Sequence, residues 1–297
     1  MIKRTVYIGN PGKLYLRDDQ IKIESDNGHS GSIPAEDLGL LVLDHAQITF
    51  TQPLMAKLLE HNVAVMFCNA KHMPQGILMN LEGHTLQSAR FKAQVAVSRP
   101  LQKNLWQQTV KAKIRNQARV LEIREAPAAR LWELESKVRS GDPDNYEAQA
   151  ALYYFRRAFS EDKSFRRQPE GDFPNALLNY GYAVLRAMVA RAIAGTGLHP
   201  TLGISHRNQY NAFCLADDMM EPYRPYVDAA VLDYLSKRES IEDALTTADK
   251  VEMLKLPVLD VSIGQKTSPL MLATQRTAAS LVACYQQEER KLLYPEL

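Results

Sequence analysis

Asp217, Asp218 and Glu221 stand together in the run LADDMMEPYRP, in an otherwise apolar stretch that follows His206 by a short interval. Spacings of three and four residues bring side chains together on a helix surface, where like charges repel by roughly 0.2–0.5 kcal/mol even in water. Burial raises that cost unless a positive charge neutralises them. A divalent cation would do so, with His206 adding a nitrogen ligand; carboxylates suit Mg²⁺ or Mn²⁺, and the imidazole tilts the preference towards Mn²⁺. The spacing alone leaves a plainer reading open, in which the aspartates face the positive end of a helix dipole and Glu221 pairs with Arg224 three residues on. A further carboxylate must come from elsewhere. In GDPDNYEAQAALYYFRRAF, Glu147 opens a helix behind a turn, where an acidic residue by itself needs no explanation beyond the dipole. In SFRRQPEGDFPNALLNYGY, Arg166 and Arg167 precede Asn175 and Asn179, a combination that serves phosphate contacts or helix-end hydrogen bonds equally well.

The elements that must position these residues fall into two kinds. KRTVYIG, KLYLR, QIKIES, LGLLVLD, QITF, VAVMFC and GILMN are short β-branched or aromatic runs separated by Gly, Pro, Asn and Asp, with one short helical pattern, TQPLMAKLLEHN, among them. They predict a compact antiparallel sheet or sandwich. From about residue 86 the period becomes helical and stays so to the end, with Pro100 as a break or kink and with EGDFPNALLNYGYAVLRAMVARAIAG as a Pro-entered helix ending at Gly195. The expected fold class is α+β multidomain. A small N-terminal β-sheet or sandwich domain, residues 1–82, is followed by a larger all-α domain, residues 88–297.

A chain of 297 residues with a net charge of +2 says little about partners through its overall charge. Its distribution says more: residues 1–85 carry 7 Lys/Arg against 9 Asp/Glu, and residues 86–130 carry 10 against 2. Such a block suits a polyanion, or is a solvated helix face. Lys111, Lys113, Arg115 and Arg119 are its candidate phosphate contacts, with Arg166 and Arg167 beyond it. Three scattered cysteines give no disulfide framework, and MIKRTVYIGN is strand-like with no basic and apolar leader, so an intracellular protein is expected. ALLNYGYAVLRAMVARAIAG is interrupted by Asn179, Arg186 and Arg191, which suits a buried helix rather than a membrane span.

Taken together, NYEAQAALYYF, RRQPEGDFPNALLNYGYAVL, GLHPTLGISHRN and LADDMMEPYRP resemble the CRISPR-associated integrase family, the Cas "one" protein of spacer acquisition. The stretch LGLLVLDHAQITFTQPLMAKLLEHNVAVMFCNAKHMPQGIL is similar to that family's β domain, and LWQQTVKAKIRNQA to its first long helices. The resemblance implies a dimerising N-terminal β domain, a helical catalytic domain and a homodimer, two of which flank a dimer of the small Cas "two" protein. It implies a catalytic metal site for Mg²⁺ or Mn²⁺ made by Glu147, His206 and Glu221, with Asp218 as a supporting acid. Many members of that family have Asp at this last place; this chain has Glu221, as compact type II-like relatives do. The implied activity is cytoplasmic: insertion of double-stranded pre-spacer DNA into a repeat array by 3′-hydroxyl attack on a phosphodiester. A non-catalytic DNA-binding scaffold and a structure-specific nuclease that does not integrate are the competing readings.

Overall fold

The computed structural model describes residues 3–26, 28, 30–80, 82–160, 165–168, 171–238 and 245–297. The chain divides into two compact units, Met1–Thr85 and Leu86–Leu297.

In the first unit the strands are β1 (Arg4–Ile8), β2 (Gly12–Arg17), β3 (Gln20–Ser25), β4 (Ser30–Pro34), β5 (Leu38–Leu43) and β6 (Ile48–Phe50); helix α1 (Gln52–Glu60) follows, then β7 (Ala64–Cys68) and β8 (Pro74–Leu78). They form two four-stranded sheets in the orders β1-β5-β7-β8 and β4-β3-β2-β6. The expected antiparallel arrangement is corrected: β5 runs parallel to both β1 and β7, and β6 runs parallel to β2. The physical reason is in the residues. LGLLVL is buried at all six positions, as a strand with parallel neighbours on both sides requires, and α1 supplies the crossover that a parallel β5–β7 pair needs. The half-alternating KLYLR and QIKIES do pair antiparallel, as β2 with β3. Leu14 and Ile21 of one sheet, Leu38, Leu41 and Val65 of the other, and Leu54 and Leu58 of α1 close one core.

The second unit is helical, as the fold-class expectation has it. Its elements are α2 (Gln87–Val95), α3 (Arg99–Ile123), α4 (Ala129–Lys137), α5 (Tyr146–Ala158), α6 (Asn175–Gly195), α7 (Cys214–Met220), α8 (Arg224–Ser236) and α9 (Thr247–Met253), then strands β9 (Asp260–Ile263) and β10 (Lys266–Pro269) and the last helix, α10 (Leu270–Tyr285). The β9–β10 hairpin is an addition to the expected all-α content. Pro100 neither breaks nor kinks a helix. It sits in the first turn of α3, where its missing N–H costs nothing, and Ser98 caps that end by accepting from Leu101 N. Helix α6 is apolar nearly all round and packs against α7, α8, α9 and α10, so it is the centre of the unit. No helix among the described residues is long and apolar enough to cross a membrane.

Candidate active site

Helix α3 carries a buried face in which Trp106, Thr109, Val110, Lys113, Asn116 and Gln117 recur at helical spacing. Three of these positions touch what the sequence singled out. The Trp106 ring meets the His206 ring edge to face, centroids 5.6 Å apart. Two turns on, Lys113 Nζ lies 2.7 Å from Glu147 Oε1 and 2.6 Å from Glu221 Oε2. One turn further, Asn116 donates to the carbonyl of Pro222, the residue after Glu221, at 2.8 Å. One helix therefore touches three segments that come from different parts of the sequence.

Each segment is also fixed locally. Asp142 takes the N–H groups of Tyr146 and Glu147 at 2.9 and 3.0 Å, and Asn145, in the left-handed region with φ of 53°, turns the chain into α5. These bonds satisfy donors that a helix start leaves open, and they fix the backbone from which Glu147 projects. His206 lies in the loop before α7. Asp218, fully buried on α7, accepts from the backbone N–H of Ser205 at 2.8 Å, from that of His206 and from His206 Nδ1. Gly203 permits the close turn: a Cβ there would stand 2.4 Å from the His206 carbonyl and 2.9 Å from Asp218 Oδ2. Glu221 begins a single 3₁₀ turn, Glu221–Tyr223, between α7 and α8, and Arg224 Nε lies 3.0 Å from its Oε1.

The electrostatics follow from these contacts. Burial works against the charge on Glu221, but Arg224 and Lys113 outweigh it and hold the carboxyl below its ordinary pKa. Burial likewise opposes the Lys113 charge, and Glu221 and Glu147 outweigh it in turn, holding the ammonium above its usual value. The hydrogen bond that His206 donates to Asp218 is the largest influence on the ring and raises its pKa against the effect of burial; the charges of Asp218, Glu221 and Glu147 add to the rise. Glu221 is buried, Glu147 half-buried and His206 exposed, so the group is open on one side. Among the described residues no three His, Cys, Asp or Glu side chains stand close enough to hold a metal as placed. The two acidic groups nonetheless share one small cation, Lys113 Nζ, and the donor set of two carboxylates and an imidazole suits Mg²⁺ or Mn²⁺. An imidazole whose Nδ1–H is held by a carboxylate presents Nε2 outward, the arrangement that metal-ligating histidines commonly have.

The other expected residues separate. Asp218 has its oxygens occupied by the His206 loop, so it orients the ring. Asp217 points elsewhere, to Arg186 Nε at 2.7 Å and to Asn211 Nδ2 at 2.7 Å. Lys113 is not on a solvated face: it is buried among carboxylates, so the expected phosphate contact is corrected to an internal ion pair. Arg115 pairs with Glu135 at 3.1 Å and Glu296 at 3.2 Å, and Arg119 with Glu122 at 2.8 Å while its guanidinium lies over the Trp132 ring. Lys111 lines a cleft of about 1240 Å³ between α3 and the segment after α10. Arg166 is exposed, and Arg167 donates to Asn175 at 3.1 Å and to Asn179 at 2.6 Å, so those two amides serve as its partners. Trp106, Asn116 and Asp142 were not singled out beforehand. The helical period of α3 marks the first two as buried, and the GDPDN turn marks the third as a cap.

The family model described as CRISPR associated protein Cas1 matches residues 6–256. The chain is also 37% identical, over 300 aligned residues covering 100% of it and 97% of the relative, to the CRISPR-associated endonuclease Cas1 of Neisseria meningitidis serogroup C (strain 8013). The chain belongs to the Cas1 family. Its fold agrees: a casposase bound to integration product superimposes with a TM-score of 0.81 at 19% identity, covering 98% of this chain and 92% of that one. A Cas1 protein from Thermotoga maritima superimposes with a TM-score of 0.77 at 18% identity, covering 95% and 97%. Membership in Cas1 gives the chain a nuclease or integrase role in CRISPR adaptation.

Proposed function

We propose that this Cas1-family chain is a metal-dependent DNA integrase that joins short duplex fragments to a CRISPR repeat array by 3′-hydroxyl attack on a phosphodiester. The observation that carries the reading is the convergence of Glu147 and Glu221 on one ammonium, beside an imidazole that a buried aspartate holds. Glu147, Glu221 and His206 Nε2 would hold Mg²⁺ or Mn²⁺. A divalent ion bound there would supply Lewis acidity to the phosphoryl, attacking and leaving oxygens. Asp218 keeps the Nδ1–H in place, so the Nε2 lone pair stays free to ligate. Arg224 anchors Glu221 from the side away from Lys113, and the open side at Glu147 and His206 admits the duplex. One ester replaces another, so no nucleotide hydrolysis is needed; with water in place of the hydroxyl the same groups would cut DNA.

The partners that go with this reading are double-stranded pre-spacer DNA, the repeat array, a second copy of the chain through the β unit and a dimer of the Cas "two" protein, acting in the cytoplasm. The likeness of the fold to a casposase bound to integration product supports the DNA part. Lys111, Arg115, Arg119, Arg166 and Arg167 are the proposed backbone contacts, which fix position without reading sequence. The test is a joining assay with a supercoiled repeat target and pre-spacers ending in a free 3′-hydroxyl or a 3′-deoxy terminus. Joined product that requires the hydroxyl and a divalent cation is expected. Hydrolysis alone would identify a nuclease that does not integrate, and DNA binding without either reaction a scaffold.

A further inference from the structure

Lys113 Nζ stands at 2.7 Å from Glu147 Oε1 and 2.6 Å from Glu221 Oε2. Two carboxylates facing each other across so short a gap repel, and partial burial weakens the screening by water, so a positive charge between them stabilises the pair. Arg224 cannot serve, because it sits on the other oxygen of Glu221. Among the described residues the cation that contacts both acids is Lys113, rooted in the middle of α3 with its stem buried. A divalent ion taking the same two oxygens at about 2.1 Å would need the space this nitrogen fills. A lysine can yield it: its charge is a point on a four-carbon stem with rotatable bonds, unlike the planar fork of an arginine.

Resting on the metal-binding reading of Glu147, His206 and Glu221, we propose that Lys113 is the resident counter-ion of this acidic pair and that the divalent cation loads by displacing it. Loading is then an exchange. The ammonium holds the two acids together in the metal-free chain, and its two contacts are the cost of binding the ion.

The experiment is a Mn²⁺ titration of the full metal-free chain, with the free ion followed by its electron paramagnetic resonance, on the unaltered protein, Lys113→Met, Lys113→Gln and Glu147→Gln. Removing one competing charge should tighten Mn²⁺ binding by roughly tenfold in both Lys113 variants. Their metal-free thermal midpoints should fall, and the rise that Mn²⁺ produces should exceed that of the unaltered protein. Lys113→Gln keeps a hydrogen-bond donor of similar length, so it serves if Lys113→Met fails to fold. Unchanged or weaker Mn²⁺ binding in folded Lys113→Gln, with Glu147→Gln abolishing binding, would overturn the exchange while leaving the metal site in place. Absence of any Glu147-dependent Mn²⁺ binding, in the unaltered chain and in both Lys113 variants, would overturn the metal site and the exchange together.

Discussion

Glu221 and Asp228 lie seven residues apart, both buried, and the protein treats their charges in opposite ways. Glu221 has a guanidinium on one oxygen and an ammonium on the other, and these hold it ionised against the cost of burial. Asp228, on α8, has the Tyr182 hydroxyl as its close donor, with Tyr154 beside it and Arg167 and Arg224 acting only from farther off; burial dominates and pushes its carboxyl up to about 6. Burial alone therefore does not mark a functional acid in this chain. On the proposed reading the mark is burial together with a cation that a metal could displace: Glu221 has Lys113 at one oxygen, where Asp228 has a tyrosine hydroxyl.

The sharpest way to break the comparison is to neutralise each acid without changing its shape. Glu221→Gln and Glu147→Gln should each lower strand joining by roughly a hundredfold to a thousandfold or more, the scale seen when one group that stabilises transition-state charge is lost. Asp228→Asn should leave joining within a few fold. Equal losses at positions 221 and 228, measured as initial joining rates at saturating Mn²⁺, would show that the distinction is one of folding and not of chemistry.

Asp228→Asn tests the other half of the comparison through stability. The carboxyl binds its proton more tightly in the folded chain than in the unfolded one, so folding favours the protonated form. The contribution is fully present below the unfolded value of about 4 and is lost as pH rises through about 6. Above pH 7 the ionised, buried group should cost up to roughly 3 kcal/mol, taking about 1.4 kcal/mol per pH unit between those two values. Asp228→Asn should thus be the more stable protein at pH 7.5, less the value of whatever hydrogen bond the amide forfeits, and the gap should close as pH falls towards 4. Taking the difference between the two proteins at each pH cancels the other carboxylates. A gap that does not change with pH would show that folding leaves the Asp228 carboxyl at its unfolded value, and that burial does not raise it.

The same two acids show what a sequence reveals and what it hides. The type and order of the elements are legible because period and punctuation record them: α6 begins and ends where its proline and glycine put it, at Asn175 and Gly195. The parallel pairing of β5 was written in LGLLVL, whose lack of alternation signals burial on both faces, but short strands separated by turns suggested hairpins first. The β9–β10 hairpin was hidden in a stretch read as helical, although IGQK carries a two-residue loop; Gly264 and Gln265 have φ of 52° and 62°, the positive values that a tight primed turn requires. At the site, the trio rests on likeness to the family, because spacing alone does not tell Asp217, Asp218 and Glu221 apart. Their partners on α6, on the His206 loop and on α3 come from distant sequence. Lys113 was counted with the surface charges, and only its place on the buried face, seven residues after Trp106, would have separated it from Lys111.

The finest contrast lies between neighbours. Asp217 and Asp218 are adjacent on α7, yet one grips Arg186 and Asn211 and the other holds the His206 ring and loop. Asp218→Asn keeps the size of the side chain but can offer an amide N–H where Nδ1–H needs an acceptor, which favours the wrong tautomer or a turned ring. Mn²⁺ affinity should fall about 10–100-fold, the usual cost of losing the group that orients a histidine ligand, and joining at low Mn²⁺ should fall with it. Excess Mn²⁺ should recover part of the joining, because the ligand is misoriented and still present, whereas His206→Ala should not respond. Asp217→Asn can still accept from Arg186 and should leave Mn²⁺ affinity unchanged. If Asp217→Asn weakened the metal as much as Asp218→Asn does, the two acids would have to act as one unit through α7, and the assignment of the His206 ring to Asp218 alone would fail.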